Sequence, residues 1–239
     1  MSYKPPPPNV TLEEDFITEQ EEYDLIELLE SDKITWNLPF SDTRKSNCIM
    51  GDTGLIYQTG YTKYVSQRLV VPWIKIVEDI KERISKKYNQ KFKVCIMQRY
   101  PNGKVGISPH RDKEMIHNTL IAGLSLKTTR TLSINEWGKL PCAQYVLPPR
   151  SCYCMHPPTN DMYYHSIDID ESISGVRYGL TFRTYEQPTS LITLPPPKKS
   201  TNTKTTKRKR EISQNTISTS TSQSHSIQST LNMFKKIKT

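Results

Sequence analysis

The sequence lacks several features that define common classes of protein. No apolar run approaches the ~18–20 residues that cross a bilayer, which excludes an integral membrane protein. The N-terminal stretch MSYKPPPP has no apolar core of the kind found in signal peptides, so we expect no secretion signal. Cysteine is also scarce, and five cysteines in 239 residues argue against a secreted disulfide framework.

Charge is present in abundance but is spread unevenly along the chain. The total is only +9. Residues 188–239 hold ten Lys and Arg against one acid, whereas residues 12–32 hold ten acids and no Lys or Arg. Residues 33–187 have a basic excess of their own. A basic body and a basic tail, separated from one acidic stretch, predict a polyanionic partner.

Composition divides the chain into four regions. Residues 1–11 form a proline-rich lead that we expect to be disordered. Residues 12–90 have helical patterns, and residues 91–187 have short strand-like runs separated by Pro, Gly and Asn. Residues 188–239 are rich in Ser, Thr and basic residues, and we expect this tail to be disordered. Helices followed by many short strands predict an α+β fold with a sandwich or barrel core.

Two helices are expected in the N-terminal part. Thr18 and Glu21 form a capping-box pattern ahead of an acidic helix with apolar residues at helical spacing. Pro72 fits the first turn of a second helix, because a proline there lacks only an N–H that would be unpaired anyway.

Three residues of the body have the side chains and spacing of a metal site. His110 and Asp112 are two residues apart, so on a strand both point to one side. His165 can complete a set of two imidazoles and one carboxylate, which suits non-haem Fe(II) and O2. Taken alone, an H-x-D pair is typical of a surface turn and a single histidine of a packed core. Their joint order on strand-like segments favours a site.

Two arginines in the last strand-like run extend this pattern. Arg177 and Arg183 are six residues apart, so both can face inward from one strand. Inward arginines need anionic partners, because an unpaired buried charge is costly. A dicarboxylate co-substrate would supply two negative charges. An isolated pair with this spacing is usually solvated, so the inference depends on the nearby metal pattern.

The sequence resembles the AlkB-type 2-oxoglutarate- and Fe(II)-dependent dioxygenases. The resemblance is strongest to animal members of the family that repair alkylated double-stranded DNA in the nucleus. It implies a double-stranded β-helix (a cupin-like jelly roll) with the N-terminal helices packed outside. It rests on six stretches in collinear order, namely GDTGLIY (51–57), PW (72–73), RYPNG (99–103), HRDKE (110–114), HPPTNDMYYHSI (156–167) and RYGLTFR (177–183).

The resemblance also implies roles for the residues that match family motifs. The catalytic residues and Fe(II) ligands are implied to be His110, Asp112 and His165. The residues that bind 2-oxoglutarate are implied to be Gln98, Tyr100, Arg177, Thr181 and Arg183. The substrate side includes a lid-like loop over the flipped nucleotide, an acid that faces the damaged base and an apolar wedge, implied to be Tyr57, Glu114 and Phe40.

The sequence departs from the family pattern at two co-substrate positions. Gln98 stands where an asparagine is usual, which keeps the amide but lengthens it by one methylene. Gly179 stands where the arginine motif usually has an asparagine, which removes a polar contact. The wedge region is the short stretch WNLPFSD (36–42), in which Leu38 or Phe40 either enters the DNA or anchors the loop to the core.

The implied function is oxidative repair of DNA. A monomeric enzyme is expected to use Fe(II), 2-oxoglutarate and O2 to demethylate bases such as 1-methyladenine and 3-methylcytosine, with release of formaldehyde, succinate and CO2. One alternative is a dioxygenase for methylated RNA or protein. Another is a catalytically weak, clamp-tethered DNA-binding adaptor, which Gly179 and Gln98 favour and the intact metal triad opposes.

The tail carries two address-like patterns. Residues 198–210 have a two-residue and a four-residue basic cluster, which resembles a bipartite nuclear localisation signal, and we expect the protein in the nucleus. A DNA-binding basic tail is the alternative. Gln228, Leu231 and Phe234 match the box by which repair proteins bind the sliding clamp PCNA, although Lys235 replaces its second aromatic.

Overall fold

Thirteen strands and three helices make up the part of the chain that the structure describes. The structure is a computed structural model that describes residues 5–59 and 66–187. The strands are β1 Val10–Glu13, β2 Ser46–Gly51, β3 Ile56–Thr59, β4 Ser66–Leu69, β5 Val71–Pro72, β6 Val94–Tyr100, β7 Ile107–His110, β8 Ile121–Leu126, β9 Arg130–Asn135, β10 Pro141–Leu147, β11 Cys152–Met155, β12 Tyr164–Ile167 and β13 Arg177–Arg183. The helices are α1 Glu19–Glu30, α2 Lys75–Tyr88 and α3 Thr159–Met162.

The strands form two facing sheets and a separate hairpin. The larger sheet has the order β1-β11-β8-β13-β6-β2-β5, the smaller sheet has the order β10-β9-β12-β7, and β3 pairs with β4. Tyr153 and Met155 of the larger sheet share an apolar cluster with Leu132 and Ile134 of the smaller sheet. This arrangement confirms the predicted α+β fold with a double-stranded β-helix core.

The helices cover the outer face of the larger sheet. Leu180 and Phe182 of β13 belong to the same buried cluster as Leu25 of α1 and Ile80 of α2. Side chains alternate between the two faces of a strand, so Arg177 and Arg183 lie on the opposite, inner face. The expected position of the N-terminal helices outside the core is confirmed.

Helix α1 begins where its capping box predicts. The Thr18 hydroxyl accepts a hydrogen bond from the Glu21 backbone N–H, and the Glu21 carboxylate accepts one from the Thr18 N–H. These two bonds satisfy backbone donors that have no partner within the helix. Arg83 of α2 pairs with the Glu21 carboxylate, so the cap also joins the two helices.

Helix α2 begins later than the sequence predicts. Its first residue is Lys75, whereas Pro72 pairs with Gly51 in the parallel strands β2 and β5. The expectation that Pro72 lies in the first turn of α2 is therefore wrong. A proline is tolerated in β5 because this strand is the edge of the sheet, where its missing N–H needs no partner.

The proline-rich lead is more ordered than its composition suggests. Strand β1 pairs with β11, with Val10 opposite Met155. Upstream of β1, Pro6 O accepts a hydrogen bond from the Tyr163 hydroxyl, and Asn9 N–H donates to Thr159 Oγ1. Disorder over residues 6–11 is therefore a wrong prediction. Strand β11 and helix α3, both distant in sequence, satisfy backbone groups that the composition alone suggests are solvated.

The larger sheet extends across the boundary that we expected near residue 90. Strands β2 and β5, from the N-terminal region, continue the sheet beyond β6. The predicted tail at residues 188–239, with its basic clusters and its clamp-binding pattern, lies outside the described residues. Within the described residues, no helix is long and apolar enough to cross a membrane.

Candidate active site

Three side chains that can hold a metal meet on the inner side of the jelly roll. The potential ligand atoms of His110, Asp112 and His165 all lie within 4.8 Å of one another. His110 Nε2 is 3.5 Å from Asp112 Oδ1, and His165 Nε2 is 3.8 Å from Asp112 Oδ2. The structure thus brings the three predicted ligands together.

Strand pairing and one amide position these three residues. His165 of β12 is directly opposite His110 at the end of β7, so the ladder sets the two imidazoles side by side. Asp112 follows β7, and the buried side chain of Asn160 hydrogen-bonds the Asp112 backbone as a neighbouring strand would. Asn160 Oδ1 accepts from the Asp112 N–H, and its Nδ2 donates to the Asp112 carbonyl, each at 2.9 Å.

The charge states suit a cation. Burial lowers the pKa of His165 to about 3, so its ring is neutral at pH 7 and keeps a lone pair for a metal. Burial by itself would raise the pKa of Asp112. The nearby charge of Arg183 outweighs this effect and lowers the pKa. A carboxylate beside a neutral His165 imidazole is the result.

The free atoms of the triad fit Fe(II). His165 directs Nε2 toward Asp112, and its Nδ1 is buried with no hydrogen-bond partner among the described residues. Asp112 Oδ2 is 2.7 Å from Arg183 Nη2 as an ion pair, yet it too receives no well-directed hydrogen bond there. His110 Nδ1 contacts the Ser108 carbonyl at 3.0 Å, which orients the ring and leaves Nε2 for a metal. Two imidazoles and one carboxylate on one side are the donor set of non-haem iron sites.

Arg183 lies directly beside the metal ligands. Its guanidinium contacts Asp112, and its Nη1 donates to the Tyr57 hydroxyl at 3.2 Å. Although burial opposes its charge, Asp112 raises the pKa of Arg183, so the residue stays protonated. The structure therefore assigns Arg183 a protein partner, which a dicarboxylate bound at this point would have to share.

Arg177 lies farther along the same inner face. Its Nε donates to Ser125 Oγ at 3.0 Å, and its guanidinium carbon is 5.3 Å from the centre of the Tyr100 ring. The Tyr100 hydroxyl donates to Gln98 Oε1 at 2.7 Å, so the amide at the family's asparagine position holds the tyrosine. Thr181 lies on β13 between the two arginines, an even number of residues from each, and therefore on the same face. All five predicted co-substrate residues thus lie on one face or its rim.

Tyr57 lies in a strand and not in a loop as expected. It belongs to β3, is only 2% exposed, and its ring centre is 4.9 Å from that of Tyr185. Burial raises the pKa of Tyr57 to about 12, so its hydroxyl is protonated and available to Arg183. Tyr57 departs from the expected loop position because its ring packs against Tyr185 and its hydroxyl accepts a hydrogen bond from Arg183.

The other predicted substrate residues differ in exposure. Glu114 is half-buried two residues after Asp112, and its charge acts on Tyr57 and Arg183. Phe40 is 44% exposed. The guanidinium of Arg99 covers its ring at 4.2 Å, and Trp36 contacts it edge-on at 5.4 Å. Phe40 is thus both accessible and held in place.

Sequence reasoning missed several residues of the site. Asn160 fixes the Asp112 backbone, and Ser125 holds Arg177. Lys45 is half-buried. Burial, followed by the charge of Arg183, lowers its pKa, while the charge of Asp112 acts in the opposite direction. Only Asn160 lies within a motif that the sequence singled out, HPPTNDMYYHSI. The other two come from segments that carry no chemical pattern.

Known proteins supply an independent comparison. A sequence profile of the 2OG-Fe(II) oxygenase superfamily matches residues 10–183, which is most of the chain. The chain belongs to this superfamily. Membership implies Fe(II), 2-oxoglutarate and O2 as cofactor and co-substrates, in agreement with the triad.

Individual relatives show which members of the superfamily the chain resembles. The chain is 32% identical to the cattle protein named DNA oxidative demethylase ALKBH2 over 60% of this chain and 54% of that protein. It is 31% identical to the human protein of the same name, over 56% of this chain and 53% of that protein. The chain therefore spans about half the length of the curated relatives it matches.

A solved structure supports the fold. The structure of OsALKBH1 aligns with a TM-score of 0.57 at 12% identity, over 76% of this chain and 99% of that chain. At this identity the likeness shows the fold alone, and it agrees with the jelly roll described above.

Proposed function

We propose that the protein is an oxidative DNA demethylase that removes N-methyl groups from alkylated bases. The observation that carries the proposal is the His110–Asp112–His165 triad beside two buried arginines on one inner face. The relatives named DNA oxidative demethylase support DNA as the substrate. The basic excess of residues 33–187 is consistent with a polyanion.

The residues that would hold the reactive groups are separate from those that would bind the base. Fe(II) would be held by His110, Asp112 and His165. The co-substrate 2-oxoglutarate would bind next to it, along Arg183 and Arg177, with Tyr100, Gln98 and Thr181 beside them. Together with O2, these groups would supply the oxidant for hydroxylation of the N-methyl carbon, so that the overall reaction would restore the base with formaldehyde, succinate and CO2 as products.

The protein itself positions the reactive groups, supplies a positive charge and excludes water from the metal side. Asn160 fixes the Asp112 backbone, and Tyr57 restrains Arg183 through its hydroxyl. Asp112 and His165 are buried, so little water competes at the metal side. The cationic Arg183 favours the binding of an anion beside the carboxylate ligand.

On the substrate side, we propose that a base flipped out of the duplex enters beside His110. His110 is less buried than the other two ligands, so this side of the triad is open. Glu114 would face the base, and Tyr57 would wall the cavity on the hairpin side. A base methylated on its pairing edge, such as 1-methyladenine or 3-methylcytosine, is cationic, so a nearby carboxylate favours it. Its disrupted pairing also lowers the cost of flipping.

A lesion panel tests the proposed activity. The full chain is incubated with Fe(II), 2-oxoglutarate and single- or double-stranded oligonucleotides that each carry one methylated base, and formaldehyde is measured. Release from DNA, absent in Asp112→Ala, supports the proposal. Release from methylated RNA only would favour the RNA alternative. DNA binding without any formaldehyde would favour the adaptor.

The wedge role of Phe40 has its own test. Phe40→Ala is expected to slow repair of a duplex substrate by about 3- to 10-fold while single-stranded substrate is repaired normally, because only a duplex has a gap to fill. Equal loss on both substrates would indicate that Phe40 anchors its loop through Arg99 and Trp36.

From sequence alone, we propose that the tail directs the enzyme to the nucleus and to PCNA. The basic clusters at residues 198–210 and the pattern Gln228, Leu231 and Phe234 support this. Titration of the 224–239 peptide against PCNA should show weak binding that Phe234→Ala removes and Lys235→Phe strengthens. If none of the three peptides binds at high micromolar concentration, the clamp role is wrong.

A further inference from the structure

Trp137 differs from the other two tryptophans of the chain. Trp36 and Trp73 are half-buried, and their indole N–H groups donate to the Leu29 carbonyl and to the Asp52 carboxylate. Trp137 is 73% exposed, on the short turn between β9 and β10. A large aromatic side chain stabilises the fold by burying its surface, so this one contributes little to stability. Its ring is therefore available to a partner.

The Trp137 ring is the outer end of a stack of side chains. Its centre is 4.9 Å from that of the Tyr164 ring, and the Arg111 guanidinium carbon is 5.0 Å from the centre of the same Tyr164 ring. Arg111 Nη1 donates to the Asp161 carbonyl at 2.7 Å, which fixes the guanidinium. The stack therefore joins an exposed indole to a cation that the body of the protein holds in place.

The stack is built by the two segments that carry the metal ligands. Arg111 lies between His110 and Asp112, and Tyr164 directly precedes His165. Because neighbouring side chains of a strand point to opposite faces, Tyr164 lies on the outer face of the smaller sheet while His165 faces inward. The stack thus borders the candidate site from outside, where a nucleotide next to the methylated one would pass.

The turn that carries Trp137 is ordered and its acid is neutralised. The Lys139 N–H donates to the Glu136 carbonyl at 3.1 Å, and the Lys139 ammonium is 2.5 Å from the Glu136 carboxylate. Gly138 has a φ of +69°, which glycine adopts without strain. An ordered turn loses little freedom on binding, and a neutralised acid does not repel a polyanion.

We propose that Trp137 is a stacking platform for an unpaired base of the substrate strand, next to the methylated base. The inference rests on the proposed function, which makes DNA the substrate. Every base has a π-face, so such a contact tolerates any sequence. A base inside a duplex is already stacked on its neighbours and must leave them to lie on the indole. Trp137 should therefore favour single-stranded over double-stranded substrate.

Oligonucleotide binding tests the inference. The full chain is loaded with Mn(II) in place of iron, and its affinity for a labelled methylated oligonucleotide is measured by fluorescence anisotropy. Trp137→Ala should weaken binding of the single strand by about 5- to 100-fold and of the duplex by less than about 2-fold. Trp137→Phe, which keeps a ring, should lose less than about 3-fold. Leu140→Ala is the matched control, because Leu140 is 88% exposed near the same turn and has no ring.

Two further measurements separate stacking from loss of charge or fold. A single abasic site moved along the strand should, at one position next to the lesion, reproduce the loss in the wild type and add nothing in Trp137→Ala. The dependence of affinity on salt should be the same in Trp137→Ala as in the wild type, because the phosphate contacts remain. The midpoint of urea unfolding should also be unchanged, since the ring is exposed.

Intrinsic fluorescence reports on the indole itself. Single-stranded DNA should quench the emission of the wild type, and most of this quenching should be lost in Trp137→Phe, which retains Trp36 and Trp73. Unchanged quenching in that variant would contradict a base on Trp137.

Three outcomes of the binding experiments would overturn the inference. One is wild-type affinity of Trp137→Ala for the single strand. Another is an equal loss on single strand and duplex, or an equal loss in Leu140→Ala, either of which would mean that the turn acts without stacking. In both cases formaldehyde release from methylated DNA can still be intact, which leaves the proposed function standing. The third is a wild-type chain that binds no DNA, which overturns the proposed function as well.

Discussion

The two faces of β13 differ completely although they alternate along seven residues. Toward the helices it presents Tyr178, Leu180 and Phe182, each at most 1% exposed and packed in the main apolar cluster. Toward the smaller sheet it presents Arg177 and Arg183, both buried and charged. One strand therefore supplies both the core and the candidate site. The apolar face stabilises the fold, whereas the charged face is costly unless anions occupy it.

Because the inner side carries the candidate site, we expect substitutions there to abolish function while changing the free energy of unfolding little. His165→Ala should remove tight metal binding and lower turnover by at least about 1,000-fold, because one of the three metal ligands is lost. His110→Ala and Asp112→Ala should do the same. Metal affinity by calorimetry and formaldehyde release measure both effects.

The controls for the triad are two histidines of the described residues that lie outside it. His117 pairs with Asp161 and is mostly exposed, and His156 contacts Thr11. His117→Ala and His156→Ala should retain turnover and metal affinity. Full activity after the loss of His165 would show that the ligand assignment is wrong.

The outer face should show the opposite behaviour. Phe182 is fully buried and contacts Phe92 edge-on at 6.3 Å. Phe182→Ala should lower the free energy of unfolding by about 3–5 kcal/mol, through lost burial and the cavity left behind. The adjacent Thr181→Ala, on the inner face, should cost less than about 1 kcal/mol. Urea unfolding measures the free energy lost in each variant, and similar losses would contradict the expected difference between the two faces.

Substitution of Arg183, which lies beside the metal ligands, should have an effect of intermediate size on binding. Arg183→Ala should weaken 2-oxoglutarate binding by about 10- to 100-fold, since a charge-assisted pair contributes roughly 1.5–3 kcal/mol. It should also weaken metal binding, because Asp112 loses its partner. Calorimetric titrations with metal and with co-substrate separate the two losses. An unchanged 2-oxoglutarate affinity would exclude a carboxylate role for Arg183.

The smallest effect is expected at the exposed end of the helix layer. The hydrogen bond from Arg83, stronger here than the opposing effect of burial, lowers the pKa of Glu21 from its ordinary value of 4.5. Glu21→Gln should therefore cost about 0.5 kcal/mol of unfolding free energy, as for other exposed ion pairs. A lowered carboxyl pKa gives stability that is present above pH 4.5 and lost as pH falls through the folded-state pKa. By urea unfolding, the wild type and Glu21→Gln should differ in unfolding free energy at pH 7 and have nearly equal values near pH 2.

Several elements could be predicted because their signal is local. The Thr18–Glu21 capping box specifies the start of α1, and a spacing of two places His110 and Asp112 on one side. Resemblance to a family implied the roles of the three metal ligands and the two arginines, which their spacing had already suggested. The lead could not be predicted, because β1 is ordered by β11, which lies far away in sequence. The start of α2 was missed because an edge strand accepted Pro72.

The amino-acid sequence alone indicates which residue types could hold a metal and an anion, and on which side of a strand each would lie. Alternation with a period of two is a property of the extended backbone, so it needs no knowledge of neighbours. The tertiary structure alone decided that His165 faces His110, that Asn160 clasps Asp112, and that Arg177 fills the space above Gly179. These contacts join residues through strand pairing and close packing. Their geometry is set by the partner segment, and no local pattern in either segment encodes it.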